Sequence, residues 1–314
     1  MENLALVSRQ VAVLFALMGV GALCRAFRLI DEKSVKGMVN ILVIAVTPCL
    51  VVEAFQRPFE PELMHQLWFA FLAVAVIHVM ALLMAYVFIH GGRPDTRGVL
   101  RVAAAFSNAG FMGLPLEEAI LGKEGVFFGI VYVAVFNLFI WSWGLMQIRG
   151  GSVKDMTRGE VWKALFNPGF IGLALGVPLF ALSVTLPPII KTPVGMMADL
   201  NTPLAMIVIG FYLAGANLKP LFRNPNAYIS AIVRLAVFPL AVIFLLNMFK
   251  EWLMPGMTMA IAIAASAPAA ALNSMFAAKY GKDVDMAVGI VSGTTLLSVL
   301  TMPPMIALAM EVLK

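Results

Sequence analysis

The chain has 314 residues, of which 61% are hydrophobic and 12% charged, with a formal net charge of +5 and a mean hydropathy of +0.94. Soluble domains average about 45–50% apolar and about 25% charged residues, so this is the composition of a polytopic membrane protein, and no polar stretch is long enough for a soluble domain. Two cysteines without CxxC spacing, Cys24 and Cys49, and three scattered histidines give neither a disulfide framework nor a metal site, and no cofactor or nucleic-acid partner is expected.

Met1-Glu2 lacks a basic leader, so the first apolar run reads as a retained span. A span needs about 20 mainly apolar residues. Ten are predicted, at about 5–24, 35–55, 66–90, 98–120, 126–148, 166–186, 194–217, 227–249, 257–279 and 286–310. The longest polar connection, 149–163, divides residues 1–148 from 164–314, each with five spans. Alternate loops carry most of the basic residues, among them Arg25 to Lys36, Arg93 to Arg101, Arg149 to Lys163, Lys219 with Arg223, and Lys279 with Lys282. The other side holds Arg9, Arg57, Lys123, Lys191, Lys250 and Lys314. By the positive-inside bias both termini are expected outside the cytoplasm. Because five is odd, the second half enters from the opposite side, and the halves are expected to be inverted repeats. Thr47-Pro48 in span 2 echoes Thr202-Pro203 in span 7.

Span 4 contains Ser107-Asn108-Ala109-Gly110-Phe111-Met112-Gly113-Leu114-Pro115-Leu116, a poor helix inside an apolar run. Each Gly costs about 1 kcal/mol against Ala, and an interior Pro about 3. Span 9 has a counterpart, Ser266-Ala267-Pro268 through Asn273-Ser274. The bland reading is close packing with kinks, since Gly and Pro are common in membrane helices. Matched breaks in opposed halves instead point to a transporter site. The first N–H groups of each resumed helix are unpaired and partly positive, a setting for an anion. Asn108 and Asn273 add amides, and Ser107, Ser266 and Ser274 hydroxyls, although Ser in a membrane helix more often bonds its own backbone. Asn137 in span 5 is a further polar candidate, with an inter-helix hydrogen bond as its default role.

Glu53, Glu117, Glu118 and Asp199 fall near outer span ends, so ion coupling through a buried carboxylate is not expected. Arg234 is the most embedded charge; snorkelling to the inner interface is favoured over drawing in anions. The basic inner face suits anionic lipid. An intramembrane protease would need paired aspartates, or Ser with His, at depth, and His78 has no evident partner, so the chain does not read as an enzyme. A receptor or structural membrane protein, or an ion-coupled symporter, is the alternative to a plain carrier.

Asn108 to Leu116 resembles the N-x-x-x-M-G-[IL]-P-L of the auxin efflux carrier family of secondary transporters. Pro48, Asn167-Pro168, Thr202-Pro203-Leu204-Ala205 with Gly210, Pro268 with Phe276 through Tyr280, and Pro303 extend the resemblance over the whole chain. It implies an all-α fold of ten helices in two inverted five-helix repeats, with helices 4 and 9 broken and crossing. In plant members the Asn matching Asn108 and the prolines of those helices line the substrate site, which nominates Asn108, Pro115 and Pro268 beside the Ser107, Gly110 and Asn273 that the breaks themselves put forward. Ser107 stands where plant members have proline, and their long central loop is missing, so auxin is not the expected substrate. Bacterial members of similar length move small carboxylates such as malonate and malate. The resemblance also implies a homodimer in the cytoplasmic membrane, a scaffold of spans 1, 2, 6 and 7, elevator motion of the rest, and transport not clearly tied to an ion gradient.

Overall fold

A computed structural model describes residues 2–150, 159 and 168–313. The described residues are almost entirely helical, and among them only an isolated bridge is extended pairing. The helices are α1 (Glu2–Ala26), α2 (Glu32–Ala54) and α3 (Pro61–Phe88), α4 (Pro94–Ala105), α5 (Leu114–Leu121), α6 (Lys123–Arg149), α7 (Pro168–Ala181), α8 (Pro188–Ala214) and α9 (Pro225–Trp252), α10 (Pro255–Ser266), α11 (Leu272–Lys279) and α12 (Val284–Val312). Seven of these, α1, α2, α3, α6, α8, α9 and α12, are long and apolar enough to cross a membrane. Predicted spans 4 and 9 are each two shorter pieces, α4 with α5 and α10 with α11. Most of the predicted 149–163 linker, together with 164–167, lies outside the described residues, including Lys154, Lys163 and Asn167.

Local sequence explains the boundaries. Proline opens α3, α4, α8, α9 and α10, where its missing N–H is no loss. Asp31 caps α2 by accepting from the Ser34 N–H at 2.8 Å, and Asp283 caps α12 by accepting from the Met286 N–H at 3.1 Å. Three helices widen into a π turn two residues before a proline: Leu42–Val46 before Pro48, Ala109–Gly113 before Pro115, and Val233–Val237 before Pro239. A proline crowds the carbonyl four residues back and cannot donate to it. The wider turn takes up the strain, with N–H groups of Thr47, Leu114 and Phe238 each reaching five residues back. The Thr47 hydroxyl adds a 2.8 Å bond to the Leu42 carbonyl.

Helix α1 packs along the second half of α8, and α7 and the first half of α8 pack on α2. The first of these contacts is backbone to backbone. A Cβ on Gly21 would collide with the Ile207 carbonyl, and one on Gly210 with the Met18 carbonyl. A second group forms around α4, α6, α10 and α12, with α3 and α9 against it. The outward faces carry Trp68, Leu72, Val87, Phe244 and Leu300, all exposed, as a lipid-facing surface requires.

Bonds between helix ends sort them into two layers. In one, Arg25 donates to the Phe211 carbonyl at 3.3 Å, joining the ends of α1 and α8. In that layer too Lys282, after α11, pairs with Asp95 at the start of α4 at 2.8 Å. In the other layer, Glu53 of α2 pairs with Lys123 of α6 at 2.8 Å. There Gln56 accepts from the Leu186 N–H, between α7 and α8, at 2.7 Å, and Gln66 of α3 accepts from the Met254 N–H, just before α10, at 3.2 Å. Lys250 of α9 donates to the Val312 carbonyl of α12 at 3.0 Å. The pair α4–α5 therefore runs from the first layer to the second, and α10–α11 runs back.

Candidate functional site

The two helix breaks meet. After α4, Phe106 turns extended, and after α10 Ala267 does the same; Ala267 precedes Pro268, and the residue before a proline disfavours the helical region. Ser107 and Ala269 then pair as an antiparallel bridge. The Asn108 N–H donates to the Pro268 carbonyl at 2.7 Å, and the Ala270 N–H to the Phe106 carbonyl at 2.9 Å. Each break thus supplies the partners that the other lost, which buried backbone requires. The Ala269 N–H donates to the Thr294 hydroxyl oxygen of α12 at 3.2 Å, so one of the polar groups of span 10 fastens the crossing.

Two C-terminal helix ends, those of α4 and α10, converge here with their carbonyls and the negative ends of their dipoles. Arg234 of α9 sits against both. Its guanidinium donates to the carbonyls of Ala104 at 3.5 Å, Ala105 at 3.3 Å and Ala265, and it lies over the Phe238 ring at 4.4 Å. It is fully buried. This corrects the expectation that Arg234 snorkels to the inner interface: the carbonyls offered by two broken helices hold it inward more strongly than the interface draws it out.

The resumed helices offer the opposite charge. The first intrahelical bonds run from Met112 and Gly113 to the Asn108 carbonyl, at 2.9 and 3.2 Å. The N–H groups of Ala109, Gly110 and Phe111 lie ahead of that ladder. In α11 the ladder starts with Asn273 and Ser274 bonding to the Ala270 and Ala271 carbonyls, each at 3.1 Å. Near the first of these ends there is room. A Cβ on Gly110 would meet nothing within 4 Å, and the Asn108 side chain has no hydrogen-bond partner among the described residues while 6% of its surface remains accessible. Asn108 and Gly110 therefore form an open corner beside a partly positive helix end, a setting that suits an anion.

The other nominated residues serve the frame. Ser107 is fully buried and donates to the Tyr132 hydroxyl at 3.2 Å. Pro115 is buried in the first turn of α5. Pro268 supplies the carbonyl that holds Asn108. Asn273 spends its Nδ2 on the Val99 carbonyl of α4 at 3.1 Å, and its Oδ1 has no partner among the described residues. Asn137 donates to Val133 within α6 at 2.8 Å, not across to another helix. Ser266 likewise bonds Ala262 of its own helix at 2.7 Å.

Three further buried groups lie near the crossing, of which the sequence reading passed over Tyr132. Tyr132 takes the Ser107 bond. His78 bonds the Val74 carbonyl through Nδ1 at 2.8 Å and packs on Tyr132 and Phe139, with ring centres 5.0 and 5.3 Å away; its Nε2 has no partner among the described residues. Glu117 is fully buried, which corrects the reading that none of the carboxylates near outer span ends is buried. A polar residue in an apolar span, the signal that marked His78, could also have found Tyr132.

Residues 6–306 match the family described as membrane transport protein. A protein of Methanothermobacter thermautotrophicus, described as an uncharacterized transporter, is 30% identical over 210 residues, an alignment covering 65% of this chain and 65% of that relative's length. A match over nearly the whole chain, joined to the motif that sits at the crossing, makes this protein a member of the membrane transport protein family, to which the auxin efflux carriers belong.

Proposed function

We propose that this membrane transporter carries small organic anions, mono- or dicarboxylates such as malonate or malate, across the cytoplasmic membrane. The observation that carries this reading is the open corner at Asn108 and Gly110, beside a resumed helix whose N–H groups of Ala109, Gly110 and Phe111 lie ahead of its ladder. Arg234 neutralises the opposite, carbonyl ends, so the site as a whole is electropositive. The architecture is read as ten crossings in two inverted repeats, 1–148 and 164–314 joined by 149–163. The opposed running of α4–α5 and α10–α11 between the two layers supports that reading, as does the reciprocal pairing of their breaks. Spans 1, 2, 6 and 7 form a scaffold and the remainder moves as an elevator in a homodimer.

Purified protein should be stabilised by malonate or malate in a thermal-shift series, because a specific ligand favours the folded state by mass action. In liposomes it should exchange labelled malonate against an internal pool. Absence of exchange for every carboxylate tried would return the chain to the receptor or structural class.

Sidedness has its own test. The layer holding Arg93 and Lys282 is read as cytoplasmic, because the basic loops collect there. Single cysteines at Arg93 and Lys123 should label from opposite faces of right-side-out vesicles, with position 123 reacting from outside. Labelling of both from one face would remove the crossing of α4–α5.

A further inference from the structure

Neither carboxyl oxygen of the fully buried Glu117 has a hydrogen-bond partner among the described residues. Helical side chains lean toward the N-terminus, so this one projects from α5 back toward the crossing. It fills a notch that α6 leaves at Gly129, where a Cβ would collide with Oε2. A Cβ on Gly113, in the π turn before α5, would lie 3.5 Å from Oε1. Seven residues separate Glu117 from Gly110, about 10 Å of helix axis, and the lean of the side chain shortens that gap.

The groups around it are engaged elsewhere. On α5, Glu118 meets the Thr202 hydroxyl at 3.4 Å. On α6, Lys123 is paired with Glu53, Glu124 lies against Gly256, and Arg149 stacks on Tyr280 at the far end. Helix α1 brings Cys24, an exposed Arg9, and Arg25 bonded to Phe211. The second half of α8 brings Tyr212, 43% exposed, and α10 brings no titratable group. Tyr132 remains, one turn beyond Gly129 on the same side of α6, with its oxygen already taking the Ser107 bond and its own O–H free to donate. His78 packs behind it. A lone ionised carboxylate in such a place is costly, whereas the neutral acid is tolerated.

We propose that Glu117 is a proton-binding site and that it couples carboxylate movement to movement of a proton in the same direction. The proposal rests on the carboxylate-carrier reading above. As the neutral acid, Glu117 adds no negative charge beside the open corner, and an anion can occupy it. When the anion leaves and water enters, the Glu117 O–H bond breaks. The proton passes to water on the delivery side, and both bonding electrons stay on the carboxylate oxygen. An ionised Glu117 and a bound anion repel each other, so the anion crosses only with Glu117 protonated, and coupling follows where the emptied carrier returns after the proton has left.

The test uses the full chain in liposomes with labelled malonate and malate, the potential clamped at zero with potassium and valinomycin, and protein-free liposomes as blank. A gradient of one pH unit should drive about tenfold accumulation on the alkaline side, since a tenfold proton ratio is the whole driving force. Trapped pyranine should report acidification of that side. Glu117→Gln keeps the shape but cannot release a proton. Its counterflow should persist at a reduced rate, which also shows that it folds, while pH-driven accumulation falls to onefold. Glu117→Asp should recover part of the accumulation. Accumulation by the Gln variant at the wild-type level would overturn the proposal. So would wild-type exchange that ignores the pH gradient, and this outcome stands even if the Gln variant does not fold. Wild-type protein that exchanges neither dicarboxylate ends the carrier reading and this proposal together; exchange without pH-driven accumulation ends the proton site alone.

Discussion

Arg234→Ala is expected to lower stability by about 3–5 kcal/mol and to leave little folded protein after extraction. The substitution strands the carbonyls of Ala104, Ala105 and Ala265, which the guanidinium now serves. Each orphaned buried acceptor costs about 1–3 kcal/mol. The sum is offset in part because a cation no longer has to be kept out of water. Two helix C-termini would also face each other without a positive charge between them, an arrangement their dipoles oppose. Arg234→Lys separates this account from snorkelling. A snorkelling side chain needs only a charge on a long stem, which lysine provides. A bridging side chain needs the planar fork, because a compact ammonium cannot serve α4 and α10 at once. The lysine variant should therefore recover only about half of the loss. Thermal unfolding in detergent is the measurement, with an expected drop of about 5–15 °C for alanine. A lysine variant as stable as wild type would mean that the fork does not matter.

The breaks themselves were legible in the sequence because they are local. Gly110, Gly113 and Pro115 oppose a helix wherever they fall, and so does Pro268. The apolar runs likewise announce the helices, and the prolines that open α3, α4, α8, α9 and α10 sit where their chemistry places them. What the sequence did not carry is direction. Arg234 lies about two turns into its helix, and a long cationic side chain at that depth can turn to either side. Only the arrival of Ala104, Ala105 and Ala265 from elsewhere in the chain decides it. Glu117 is four residues from the end of α5, a position that suggests exposure. Its burial comes from the absence of side chains at Gly125 and Gly129 on a neighbouring helix, which becomes readable only when α5 and α6 are placed together. Asn108 and Asn273 look equivalent in sequence, one after each break, yet one amide is open and the other is spent on Val99.

That difference sets the remaining prediction. Asn108→Ala removes an amide with no partner among the described residues, so thermal stability without ligand should stay within about 0.5 kcal/mol of wild type, as for substitutions that break no named interaction. Affinity for the carboxylate should fall about 10–150-fold, the worth of a hydrogen bond of about 1.5–3 kcal/mol to a charged group. Asn108→Asp keeps the shape and places a negative charge where the anion is held, so binding should fall further than with alanine. Asn273→Ala should behave in the opposite way. It deletes the bond to the Val99 carbonyl and leaves that acceptor buried, so stability should drop by about 1–3 kcal/mol with a smaller effect on affinity in whatever folded protein remains. Equilibrium binding of labelled malonate and thermal unfolding, run on the same three preparations, read both quantities. Well-folded Asn108→Asp protein that binds malonate as tightly as wild type would place the anion away from the open corner, and a stability loss in Asn108→Ala equal to that in Asn273→Ala would make both asparagines braces of the crossing.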